Sequence, residues 1–212
     1  MSQSFDKLIA LVPELRQFAP ATDDAKFYKD EALRFHSIAR TVETSFKNIA
    51  TCVDERIISH ILLRSVIENF FKLMFVYEDA NNVASNFDKL LNGFKKDYLK
   101  LLNEPDLPLK TQLEPADASW SSLQGPMDLK SMLASLRNMH GTRLDYIYFI
   151  YRISSFDTHG NSLNSLFEAS FNKKCNFPFL NIDPVLEIIS DYYLTIYQKL
   201  KAAQQGNSAN DS

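Results

Sequence analysis

The sequence predicts an all-α fold, an antiparallel helical bundle built around a central apolar helical hairpin. Three observations lead there. Glycine and proline are scarce, 5 and 8 in 212 residues, so turns are few and elements long. Apolar residues recur at alternating spacings of three and four, the period of a helix with one buried stripe. No stretch carries the convincing alternation of a strand.

With 45% hydrophobic and 23% charged residues the chain can bury a sizeable core, and residues 1–203 read as a single helical domain. The small, polar stretch 204–212 is expected to be a disordered tail. A net charge of −3 excludes a generally basic nucleic-acid coat and leaves room only for a local patch. Cys52 and Cys175 stand alone in sequence and read as reduced thiols. The first residues lack the basic start and apolar core of a signal peptide, and no apolar run approaches the ~18 residues of a membrane span. A cytoplasmic location without a membrane partner is expected.

Taken in order, residues 4–18 form a short amphipathic helix interrupted by Pro13. Tyr28, Ala32, Phe35, Ala39, Val42, Phe46, Ile49 and Val53 predict one long helix with a single seam. Asp54–Glu78 is apolar nearly all round, which predicts the centre of the bundle, with its predecessor antiparallel beside it. Within it Arg64 and Glu68 have the spacing of a side-chain pair. They either satisfy each other inside the bundle or orient a further polar group, such as His159.

Asn81-Asn82 breaks the chain before a helix marked by Val83, Phe87, Leu90, Leu91, Phe94, Tyr98 and Leu101, with Lys89, Lys95, Lys96 and Lys100 on its polar side. Those lysines read as a solvated face or, less commonly, a phosphate-facing strip. Glu104–Pro126, with four prolines, reads as a long loop docked by Trp120. A short helix over 128–137 follows. Thr142 with Asp145 then forms a near capping box for an aromatic helix that ends around His159 and Gly160. A weak helical turn spans 163–171, a loop surrounds Pro178, and Asp183-Pro184 starts the last helix.

Several chemistries have no sequence support. The glycines are scattered, so a phosphate-cradling Gly-rich loop is missing and no cofactor is expected. His36, His60, His140 and His159 show no metal-ligand spacing. Ser154 and Ser155 lack the strand-turn-helix setting of a nucleophile elbow. What remains is metal-free acid and base work at the end of the aromatic helix. Arg152 and His159 are seven residues apart, two helical turns, with Ser155 between them on the same stripe. Imidazole titrates near ~6.5 and can move a proton, while a guanidinium can hold a phosphate bidentately. Equally, His159 could simply end a buried helix ahead of Gly160.

Arg152-x6-His159 near the end of a long helix in an all-α chain resembles the R-x4-6-H signature of the HEPN superfamily. More narrowly, Arg64-x3-Glu68, the Trp120 loop and Tyr151-x2-Ser154-x4-His159 look like a bacterial helical family of unknown function grouped near HEPN. The resemblance spans roughly residues 25–200. It implies a helical bundle, commonly dimeric, that acts as a metal-independent ribonuclease in toxin–antitoxin or phage-defence systems. Arg152 and His159 would be the catalytic pair, and Arg64 and Glu68 would support them from a facing helix. The chain departs from active members at Ile153, where Asn, Asp or His is common. The expected function is thus RNA binding or cleavage by a homodimer. The alternative is a non-catalytic helical module for a protein partner, such as an antitoxin, or for a small ligand beside Glu68.

Overall fold

A computed structural model describes residues 3–46, 53–136, 143–160, 163–175 and 182–210. It is all-α, with eight helices and no strand among the described residues: α1 (Gln3–Gln17), α2 (Asp23–Phe46), α3 (Val53–Tyr77), α4 (Val83–Leu102), α5 (Leu129–Ser135), α6 (Arg143–Thr158), α7 (Ser165–Phe171) and α8 (Asp183–Asn210). The sequence predicts one domain over 1–203; the packing groups the chain into two compact units, residues 1–70 with 138–212, and residues 71–137.

The first unit is built on aromatic seams. Phe5, Leu8, Val12 and Leu15 are buried on α1, and their burial holds the helix together across Pro13, which lacks an amide hydrogen to donate. On α2, Tyr28, Ala32, Phe35, Ala39 and Val42 are all buried, as the 3–4 spacing predicts. That seam is described as helix to Phe46; Ile49 lies outside the described residues, and Val53 is the first described residue of α3.

Side-chain pairs fix the helix directions. Ser4 Oγ donates to Glu187 Oε1 at 2.6 Å and Tyr197 Oη to Glu14 Oε1 at 2.9 Å; both pairs are 183 residues apart, so α1 and α8 run parallel. Arg34 Nη2 to Ser65 Oγ and Asn69 Nδ2 to Glu31 Oε2, each 2.6 Å, set α2 and α3 antiparallel, the hairpin expected from sequence. Tyr193 of α8 stacks on Phe35 at 5.0 Å, and its carbonyl accepts the buried Tyr28 hydroxyl at 2.6 Å.

The first turns of α3 do not follow the all-apolar reading. Ile58 and Ile61 are 50% and 43% exposed, whereas Arg56, Ser59 and His60 are buried at 3%, 0% and 0%. The inversion arises because α3 turns polar side chains toward a charged partner on α6.

In the second unit, Asp128 caps α5 by accepting from Ser131 N at 2.9 Å. The loop after α4 contains two short 3₁₀ turns, Lys110–Gln112 and Ala118–Ser122. It is docked as expected through Trp120, whose ring lies 6.5 Å from Tyr98, while the Tyr98 hydroxyl donates to the Glu114 carbonyl at 2.9 Å. Gly93 admits the loop closely: a Cβ there would stand 2.6 Å from Pro126 Cδ.

Other expectations meet the described residues only in part. Thr142 of the near capping box, Cys52 and the loop at Pro178 lie outside them. Residues 204–210, read from sequence as tail, continue α8 as helix to Asn210.

Candidate functional site

α6 carries the sequence-predicted residues on two different faces. At ~100° per residue, Phe149, Arg152, Phe156 and His159 share one stripe. All four are exposed, Phe149 by 44% and Phe156 by 47%. His159 follows the last helical residue and closes the turn with its amide on the Ser155 carbonyl at 3.1 Å, ahead of Gly160 at φ +72°. Neither the Arg152 nor the His159 side chain makes a hydrogen bond or ion pair among the described residues. Both are open to a ligand.

Ser155, to one side of that stripe, is half-buried and turns toward α3. Its hydroxyl donates to the Tyr151 carbonyl at 2.7 Å and accepts from Arg64 Nε at 3.1 Å. Arg64 also places Nη2 3.3 Å from the Tyr151 hydroxyl, lies with its guanidinium carbon 5.2 Å from the Tyr151 ring centroid, and pairs with Glu68 at 3.5 Å. Arg64 and Glu68 thus pair with each other, and Arg64 also bonds Ser155 and Tyr151 of α6. No described bond joins Arg64 or Glu68 to Arg152 or His159.

Sequence reasoning missed the strongest polar cluster. His60 Nδ1 lies 2.6 Å from Asp157 Oδ2, with both side chains almost fully buried. Arg56 Nε is 3.8 Å from the same oxygen, an ion-pair contact too long for a hydrogen bond, and its Nη1 donates to Asn164 Oδ1 at 2.6 Å. Asp157 Oδ1 accepts the Leu163 amide at 3.2 Å. Burial alone pushes the Asp157 carboxyl up; the hydrogen bonds from His60 and from the Leu163 amide, with the charges of His60 and Arg56, outweigh it and leave the group below its ordinary value. His60 Nε2, Arg56 Nε and Nη2, and the hydroxyls of Ser59, Ser154 and Ser190 are buried without a hydrogen-bond partner among the described residues.

A histidine sealed at 0% exposure cannot meet a substrate, so the His60–Asp157 pair does structural work. It clamps the end of α6 to the start of α3, and the Leu163 amide is tied to the same carboxylate. A signal was present in the sequence: Arg56, His60, Arg64 and Glu68 follow at intervals of four on a helix otherwise dominated by apolar residues.

Among the described residues no three His, Cys, Asp or Glu side chains converge on a possible metal position, and no helix is long and apolar enough to cross a membrane. Comparison with known protein families, with curated proteins and with solved structures found no match. Among the described residues the protein is thus all-helical, with eight helices.

Proposed function

We propose that this chain is a HEPN-like, RNA-targeting protein that cleaves RNA without a metal, in a toxin–antitoxin or phage-defence setting. The observation that carries the reading is the exposure of Arg152 and His159 on one stripe of α6, with neither side chain bonded elsewhere among the described residues. Arg152 binds the scissile phosphate and stabilises its developing charge. His159 takes the proton from the ribose 2′-hydroxyl, whose oxygen attacks phosphorus as the bond to the leaving 5′-oxygen breaks. That leaving oxygen takes a proton in turn, and a homodimer would supply the acid from a second copy's pair. Arg64, braced by Glu68, fixes Tyr151 and Ser155 and so sets the rotation of α6.

The test is incubation of the purified chain with total RNA in EDTA, beside His159→Ala and Arg152→Ala. The expected result is cleavage by the wild type, with His159→Ala slower by ~10²–10⁴-fold, the range for a lost acid–base group, and Arg152→Ala by ~10²–10³-fold, the range for lost stabilisation of developing charge. Folded wild-type protein that leaves RNA intact rejects the ribonuclease reading.

A second reading has its own observation. Phe149 and Phe156, at 44% and 47% exposure, interleave with the two polar residues, and such a stripe suits a helical partner such as a neutralising antitoxin. Under that reading Phe156→Glu abolishes partner binding, whereas His159→Ala leaves it unchanged.

A further inference from the structure

We propose that α4 is an association surface on which a second copy of this chain docks its own α4, antiparallel about a two-fold axis. The inference uses no residue of α6 and is independent of the ribonuclease reading. Phe87, Leu91, Phe94, Tyr98 and Leu101 repeat at spacings of 4, 3, 4 and 3, the seam of a helix that packs on another helix. No residue of α4 is buried. Leu91, Phe94 and Leu101 are exposed by 38%, 67% and 38%. Scattered exposed leucines are ordinary, but three large apolar residues on one helical stripe mark a surface that is covered in use.

The charges beside the seam choose the occupant. α4 itself carries four lysines against two aspartates, but with the following loop residues 83–128 carry five lysines against seven Asp and Glu, so a nucleic acid meets no net positive charge there. Asp88 and Lys95, seven residues apart, lie on the same flank of the seam. An antiparallel pairing that layers Leu91 on the second copy's Phe94, and Phe87 on the second copy's Tyr98, brings Asp88 against the second copy's Lys95. The two-fold axis repeats that pair, so the helix is complementary to itself. A parallel pairing sets Lys95 against Leu90 instead and leaves both charges unmatched. Lys95 lies 5.8 Å from the Trp120 ring centroid of its own chain, so the pairing requires its ammonium to swing from that ring to the second copy's Asp88.

Sedimentation of the full chain over a concentration series tests this, with circular dichroism confirming the fold of each variant. The expected wild-type mass exceeds that of Phe94→Glu by one association step, a factor of two. Asp88→Lys alone and Lys95→Asp alone each weaken association several-fold by placing like charges together, and the double swap Asp88→Lys/Lys95→Asp restores it. A monomeric wild type, or an unchanged mass for Phe94→Glu, overturns the surface. Failure of the double swap to recover overturns the antiparallel pairing. Binding of a fluorescent single-stranded RNA by wild type, lost in Phe94→Glu at unchanged mass, assigns the aromatic seam to base stacking and overturns the proposal.

Discussion

Asp157 lies in the last turn of α6, where the helix dipole is negative, and Arg56 lies in the first turn of α3, where it is positive. Each charge alone opposes its own helix. Because the contacts Arg64–Tyr151, Arg64–Ser155 and His60–Asp157 set the two helices antiparallel, each charge meets its counterpart across the interface. Removing one partner strands the others in a buried setting. Asp157→Asn is therefore expected to cost ~3–5 kcal/mol near neutral pH, measured by urea unfolding. The pH dependence follows from the lowered folded-state value of Asp157. Its contribution is complete above the unfolded-state value of ~3.9 and is lost as the pH falls through the lower folded-state value. The wild-type and Asp157→Asn stabilities should converge in acid; an undiminished gap there would show that the carboxylate charge is not the source. At this scale the sequence was legible in placing Arg152 and His159 on one stripe of α6, and both are exposed there. It was misleading for Ser155, which lies only ~60° from Arg152 and ~40° from His159 around the helix yet belongs to the α3-facing side.

At the scale of elements, spacing was informative wherever an apolar seam had one neighbour to meet. Tyr28, Ala32, Phe35, Ala39 and Val42 are buried as their intervals require. It failed on α3, because hydropathy alone does not say which side of a mostly apolar helix meets a charge. Ile58 and Ile61 are pushed outward so that Arg56 and His60 can reach Asp157. Close approach was also illegible. Gly93, in the middle of α4, would gain ~1 kcal/mol of helix propensity as alanine. The added Cβ, however, meets the Pro126 ring at 2.6 Å from Cδ and 3.1 Å from Cγ, and a proline ring cannot rotate aside. Gly93→Ala is expected to lower the melting temperature and shift Trp120 emission to the red as the loop lifts from α4. A raised melting temperature with unchanged emission would show that the loop yields without loss.

At the scale of the whole molecule, one domain over residues 1–203 and two compact packing units are different descriptions, and α3 links them. It runs unbroken from Val53 to Tyr77 across the division after Phe70. On one side of that point Ile67 and Phe70, and on the other Phe71, Leu73 and Met74, are each exposed by 1% or less. A helix melts cooperatively along its length, since each residue added or lost shares the cost of one nucleus. Unravelling α3 from either end strips buried side chains from the adjoining unit as well. The two units are therefore expected to unfold together. Trp120, the only tryptophan, reports residues 71–137, while far-ultraviolet circular dichroism is dominated by α1, α2, α6 and α8 of the other unit. Denaturant transitions followed by the two signals should coincide in midpoint and slope, as two-state unfolding requires. Separate midpoints would mean that α3 breaks near Phe70 before the bundle does, and would make residues 71–137 an independent folding unit.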